Sequence, residues 1–388
     1  MHQEERDRYV QLVNSLLKKM GEVNASDLFL SVGFPPAMKI GGKMMPSTSP
    51  PLTAEQVRKM AHAISSDKQW AEYQEKKGAN FAIAPAGIGR FRVNVFTQQQ
   101  NAGMVLRVIA ADIPNFDKMG LPEKLREVVM EKRGLILLVG ATGSGKSTTL
   151  AAMIDQRNEK TQGHIITIED PVEYVHQHKR CLITHREVGI DTIGWFDALK
   201  DTLRQAPDVI LIGEIRDQET MEYALNFAET GHLAMATLHA NSANQAIERI
   251  INFFQIEKRA QILMDLSLNI KAIISQRLVP KAGGGRVAAI EILLSSALVR
   301  DAIFKGEIDS VKEIMGKSRE VGMQTFDHVL FDLYESGQVG YREALANADN
   351  QNDLRIKLKL NSKRYLIEEG ADGSATEGLS ILGDDDKK

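Results

Sequence analysis

Apolar residues recur at helical spacing at the start of the chain: Tyr9, Leu12, Val13, Leu16, Leu17 and Met20 fall on one stripe. Gly21 stands where a C-cap glycine would end that helix. The period then shortens to two, with Leu28, Leu30 and Val32 on one face of a short strand that Pro35-Pro36 ends. Thr53 and Gln56 make a capping box, which opens a helix with Val57, Met60, Ala61 and Ile64 on its buried side. Over Arg90–Phe96, period two sends Phe91, Val93 and Val95 to one side and Arg90, Arg92 and Asn94 to the other. These elements predict a small α+β domain over residues 1–112, with Asp112-Ile113-Pro114 as the linker out of it.

The pattern changes beyond residue 112. Apolar runs at Leu135–Val139, Ile165–Ile168, Val209–Ile212 and Leu233–Leu238 alternate with helical segments. Strands without polar alternation need a sheet covered on both faces, and strand-helix alternation implies parallel βαβ units. The expectation is an α/β core over 113–285, a helical region over 286–366 and a polar, acidic, disordered tail over 367–388. Within the helical region Phe326, Val329, Leu330, Leu333 and Tyr334 form a stripe that Gly337 closes.

Composition narrows the function classes. The 388 residues carry 48 Lys and Arg against 51 Asp and Glu, a formal net charge of -3, which argues against a broad nucleic-acid surface. A single cysteine, Cys181, excludes an internal disulfide and a cysteine-cluster zinc site. No apolar run approaches the ~18–20 residues that span a bilayer, and the charged N-terminus lacks a signal-peptide core. The expected compartment is the cytoplasm.

Four segments carry candidate chemistry. Gly140, Ala141, Thr142, Gly143, Ser144, Gly145, Lys146 and Ser147 match the phosphate-loop pattern at every specified position, and Thr148 follows at the start of the next helix. Glycines let backbone N–H groups converge on phosphates, Lys146 reaches the β- and γ-phosphates, and Ser147 is the Mg²⁺ ligand. Val209–Ile212 runs into Gly213-Glu214-Ile215-Arg216-Asp217, a Walker B-like strand with glycine-glutamate in place of the usual aspartate. Two roles stay open for Glu214: metal ligation through water, and polarising the attacking water. Glu169, at the end of the Ile165–Ile168 strand, is a second candidate general base. Taken alone, an acid just before a proline is a solvated turn. His232 and His239 bracket the Leu233–Leu238 strand, with Thr237 and Asn241 nearby, at a spacing that does not fit a zinc motif.

With a Walker A loop, an acidic box (Thr167–Glu173), a strand ending Gly-Glu-Ile-Arg-Asp and a histidine box in this order, the sequence resembles the secretion ATPase family. The likeness runs from Ser26-Asp27-Leu28 to Gly322-Met323-Gln324-Thr325. It is nearest to the type IV pilus retraction ATPases of the PilT/PilU type, whose marks include Arg90–Asn94, Gln276-Arg277 and Gly283–Ala289. The resemblance implies a PAS-like N-terminal domain, a RecA-like P-loop ATPase domain with a helical C-terminal part, and ATP with Mg²⁺. It further implies a homo-hexamer in which the N-terminal domain of one subunit packs on the ATPase domain of the next. Arg90, Arg92 and Arg107 are then candidates to approach the nucleotide, with Glu169, Glu214, His232 and His239 around the γ-phosphate. The implied partners are a PilT-type retraction ATPase and the inner-membrane platform protein of the pilus machine, with no nucleic acid and no direct membrane insertion.

Departures matter. Ala297–Lys305 replaces the Ala-Ile-Arg-Asn-Leu-Ile-Arg-Glu stretch usual in PilT-type members, Gln205–Asp208 departs from the usual approach to Walker B, and Phe29 stands where His is frequent. These place the chain on the PilU side. The alternatives to a retraction motor are an accessory ATP-binding ring with little turnover of its own and a pilus or type II secretion assembly ATPase. Assembly ATPases are longer and often carry a four-cysteine zinc module. A helicase or packaging motor shares the P-loop core but calls for a basic, aromatic face.

Overall fold

The computed structural model describes residues 1–109 and 113–365. The linker residue Asp112 and the acidic tail over 367–388 lie outside the described residues. The chain divides into two units, Met1–Ile113 with Glu173–Val175, and the remainder from Pro114.

The first unit is built from α1 (Gln3–Glu22), β1 (Asp27–Leu30), β2 (Ala37–Ile40), β3 (Lys43–Pro46), α2 (Ala54–Ile64), α3 (Asp67–Lys76), β4 (Gly78–Ile83), β5 (Arg90–Gln98) and β6 (Asn101–Ile109). Its sheet has six antiparallel strands in the order β3-β2-β1-β6-β5-β4. Leu28 and Leu30 are buried, while Val32 lies beyond the strand in a bridge to Leu52. The Thr53/Gln56 capping box forms, and α2 buries Val57, Met60 and Ala61, with Ile64 partly buried. Alternation along β5 buries Phe91, Val93 and Val95. Gly21 does not cap α1: the helix runs one turn-step further, to Glu22, and Val23 is the cap, bonded to Lys19 O.

The second unit opens with α4 (Lys124–Val128) and then alternates: β7 (Gly134–Val139), α5 (Lys146–Lys160), β8 (Gly163–Glu169), β9 (Cys181–Glu187), α6 (Trp195–Thr202), β10 (Val209–Ile212), α7 (Gln218–Glu229), β11 (Leu233–Leu238), α8 (Ala243–Asn252) and α9 (Arg259–Asn269). A hairpin follows, β12 (Ile270–Pro280) and β13 (Arg286–Leu294), and then α10 (Ala297–Lys305), α11 (Ile308–Lys317), α12 (Phe326–Glu335), α13 (Tyr341–Ala346) and α14 (Gln351–Asn361). The seven-stranded sheet has the order β13-β12-β7-β11-β10-β8-β9, parallel throughout except for β13. All residues of β7, β10 and β11 are buried, as a sheet covered on both faces demands.

The start of the helical region differs from expectation. Residues 286–294 are not helical: they pair along their whole length with β12, and the 285/286 boundary falls in the turn of one hairpin. The run Val287–Leu294 is rich in Val, Ile and Leu, so it satisfies the sheet's last position as readily as a helix. The helices beyond it have their own core, where Phe326, Leu330 and Tyr334 meet Leu354 and Leu358 on Val279 and Ala289 of the hairpin.

Candidate functional site

The site grows from the carboxyl ends of adjacent parallel strands, where an α/β sheet leaves its crevice. After β7 the chain makes a glycine-rich turn and enters α5 at Lys146. Gly143 and Gly145 have φ of +77° and +87°, the left-handed region that costs a side chain dearly. Gly140 is required for space as well: a Cβ there would lie 2.5 Å from Gln276 O and from Ser144 Oγ. Lys146 folds back over the loop, its Nζ donating to Gly140 O at 2.8 Å and to Ala141 O at 3.0 Å. The predicted loop residues Gly140–Ser147, with Thr148, therefore form one strand-loop-helix device.

Glu169 and Glu214 end neighbouring strands. Ile212 pairs with Ile168, and Gly213 N–H donates to Ile168 O at 2.8 Å. A Cβ on Gly213 would sit 3.2 Å from Glu169 Cα and from Ile168 O. The glycine that replaces the usual aspartate thus lets the two acidic strand ends approach each other. Each later residue of the segment has a job of its own. Glu214 Oε2 accepts from Arg216 Nε at 2.7 Å, and its Oε1 lies 3.0 Å from His239 Nε2. Ile215 is buried, and Asp217 caps α7 by accepting from Thr220 N–H at 2.9 Å.

The two histidines of β11 separate. His239 follows the strand's carboxyl end and meets Glu214. His232 precedes the amino end, seven residues away, which is roughly 20 Å at ~3.3 Å per strand residue. Its ring Nδ1 lies 3.2 Å from Phe227 O and 3.1 Å from Thr230 Oγ1, closing the end of α7. Within this chain His232 is therefore removed from the loop, and period-two reading along one strand does not reveal which end faces the crevice. Thr237, grouped with His239 in the sequence, spends its hydroxyl on Gly213 O at 2.5 Å.

Arg90, Arg92 and Arg107 lie in the first unit, on one face of its sheet. Arg92 is directly opposite Arg107, and Arg90 is two residues along the same strand. Arg107 Nε donates to the buried Asp27 at 2.6 Å, so that cation is partly neutralised.

Sequence reasoning passed over the roles of two residues of β12. Gln276 and Arg277 line a cleft of about 570 Å³ with Gly140–Ser144, Asn241 and Asn347. Gln276 Nε2 donates to Ser144 O and its Oε1 accepts from Thr149 Oγ1, both at 2.8 Å. Arg277 stacks 3.8 Å over the Phe326 ring and donates to Asn241 O, Asn347 O and Asp349. The polar group Ser275-Gln276-Arg277 inside the otherwise apolar run Ala272–Val279 was the signal available.

Comparison with known proteins decides the family. The Type II/IV secretion system protein family matches residues 2–308. The type IV pilus ATPase PilU of Pseudomonas aeruginosa is 53% identical over 375 residues, which cover 96% of this chain and 97% of that protein. The chain belongs to the type II/IV secretion system family, and within it to the PilT/PilU type. The type IV pilus retraction ATPase PilT of the same organism is 41% identical over 87% of this chain and 98% of its own length. The crystal structure of the pilus retraction motor PilT with bound ADP superposes with a TM-score of 0.84 at 42% identity, over 89% of this chain and 99% of that one. Legionella pneumophila DotB follows with a TM-score of 0.76 at 26% identity, over 86% and 94%. The second unit is the RecA-like domain of this family, and with its complete phosphate loop the chain is a P-loop ATPase.

Proposed function

We propose that this chain is a Mg-ATP-hydrolysing motor that works as a hexameric ring and powers or assists type IV pilus retraction, and with it twitching motility. The observation that carries the reading is the Glu214–His239 contact of 3.0 Å beside a complete phosphate loop, in a chain 53% identical to a PilU over nearly its whole length.

In this reading Lys146 leaves the carbonyls of Gly140 and Ala141 for the β- and γ-phosphates. The loop N–H groups and the positive end of α5 hold the rest of the phosphate charge. Ser147 and Glu214 offer hard oxygen donors, which fits Mg²⁺, an ion that keeps several waters and binds through one or two protein oxygens plus phosphate. When bound, Mg²⁺ neutralises charge developing between the β- and γ-phosphates. His239 and Arg216 hold the Glu214 carboxylate from both oxygens, so it meets a water or the ion in one orientation. Glu169 supplies the second carboxylate at the same sheet edge and remains a rival for the general base. Arg90, Arg92 and Arg107 serve the nucleotide of a neighbouring subunit, spreading positive charge over the transition state.

No helix among the described residues is long and apolar enough to cross a membrane. The proposed motor is cytoplasmic and peripheral, and passes force to an inner-membrane platform protein. A second reading is an accessory ring that supports a PilT-type partner, favoured by the higher identity to PilU than to PilT. Native mass measurement and ATP turnover, with and without magnesium and a PilT-type ATPase, test both readings. Magnesium-dependent turnover by a six-copy species of this chain alone supports the motor, little turnover alone but a rate above the partner's own in the mixture supports the accessory ring, and a strictly monomeric species contradicts both.

A further inference from the structure

Phosphate loops work because several peptide N–H groups point inward. The carbonyls of the same peptides must then point outward and find partners elsewhere, since a trans peptide sets its C=O and N–H on opposite sides. In this chain the Ser144 carbonyl finds the carboxamide of Gln276, on β12, the strand beside β7. Gln276 is only 3% exposed, and both ends of its amide are engaged: Nε2 donates to Ser144 O, while Oε1 accepts from the Thr149 hydroxyl. The Ser144 carbonyl, which can only accept, fixes which way round the amide sits, and Thr149, fully buried one turn inside α5, anchors the amide oxygen by donating to it.

The peptide so held is the soft one. It joins Ser144 to Gly145, whose φ of +87° reflects the wide freedom of glycine, and a peptide flip there costs little unless something holds it. Gln276 packs closely enough to do so: a Cβ on Gly145 would lie 2.8 Å from Nε2.

We propose that Gln276 is a positioning residue for ATP, which locks the Ser144–Gly145 peptide so that the Gly145 N–H faces the nucleotide phosphates. Thr149 acts through Gln276 by anchoring its amide oxygen. The proposal rests on the reading of this loop as the ATP site. It assigns Gln276 no contact with the reacting atoms, and predicts an effect on nucleotide affinity rather than on the chemical step.

The test is ADP affinity and steady-state ATP turnover of the full chain carrying Gln276→Met, Thr149→Val or Thr149→Ser. Gln276→Met preserves volume but lacks a donor for Ser144 O. Losing one buried hydrogen bond predicts about a tenfold rise in the ADP dissociation constant and in KM, with kcat within about threefold. Thr149→Val falls between this and wild type, and Thr149→Ser, which keeps the hydroxyl, restores affinity. Thermal unfolding within a few degrees of wild type in Thr149→Val separates loop positioning from loss of fold, should a Gln276 variant fail to accumulate. Wild-type ADP affinity in Gln276→Met overturns the proposal while leaving the ATP site in place. Wild-type ADP affinity in Lys146→Ala overturns the site itself, and the proposal with it.

Discussion

Glu214 Oε1 and His239 Nε2 lie 3.0 Å apart, joining the ends of two adjacent parallel strands, β10 and β11. Both are partly exposed, at 21% and 39% of their side-chain surfaces, so the pair faces the crevice rather than filling the core. Its value lies in aim, because an exposed pair of this kind contributes little to stability. Glu214→Gln is expected to lower ATP turnover at least about 100-fold while retaining nucleotide binding. His239→Ala is expected to lower turnover less, about tenfold, because Arg216 still holds the other oxygen. Turnover and ADP binding measured side by side check this, and equal losses of both contradict it.

Gly213→Ala tests why glycine stands where a Walker B strand usually carries aspartate. The added methyl meets Glu169 Cα and Ile168 O at 3.2 Å, and backbone atoms give way poorly. The expected cost is about 1–3 kcal/mol of stability, with turnover reduced because Glu169 is displaced. Denaturant unfolding with a parallel activity assay checks it; an unchanged midpoint and rate contradict the packing argument.

His176 predicts acid sensitivity. Its side chain is buried beside His185 and Lys179, and burial, more than these two neighbours, pushes its pKa down to about 3. The folded state then keeps this ring neutral at pH values where the unfolded chain takes up a second ring proton, near 6.5 and below. Stability therefore falls as pH drops from about 6.5 toward 3. The backbone N–H of His176 donates to His185 Nε2, which leaves the His185 Nδ1 proton for Thr167 Oγ1. His176→Phe keeps that backbone bond and a ring in the cavity. The melting temperature of this variant relative to wild type is expected to rise steadily between pH 7.5 and pH 5.

Glu291 works in the opposite sense. It is buried, and burial raises its pKa, with Asp349 adding to the rise and Ala243 N–H, Ser275 and Lys312 opposing it. The folded state holds this proton more tightly than the unfolded one. Its contribution is present below the ordinary carboxylate value and is lost as pH rises through the raised one. Glu291→Gln is expected to gain stability relative to wild type as pH climbs from 4 to 8, read by thermal unfolding across that range.

Much of this was legible in the chain. The continuous apolar runs at Leu135–Val139, Ile165–Ile168, Val209–Ile212 and Leu233–Leu238 became parallel strands in the central sheet, where a doubly covered sheet buries both of their faces. The loop from Gly140 to Ser147 is local, and its glycines announce themselves. What stayed hidden depends on contacts distant in sequence. Gln276 is 132 residues from its Ser144 partner, and no local period encodes such a bond. The two ends of β11 read alike until the sheet order places His239 at the crevice and His232 at the far edge. The apolar run in 286–294 was compatible with either a helix or a strand, and pairing with β12 decided it.

The central claim, that nucleotide turnover at this loop drives or supports pilus retraction, is tested most directly by imaging labelled pili on living cells whose chromosomal copy carries Lys146→Ala. The account predicts excess surface pili and slowed or stalled retraction under load, with extension intact. Normal retraction, or loss of all pili, would contradict it.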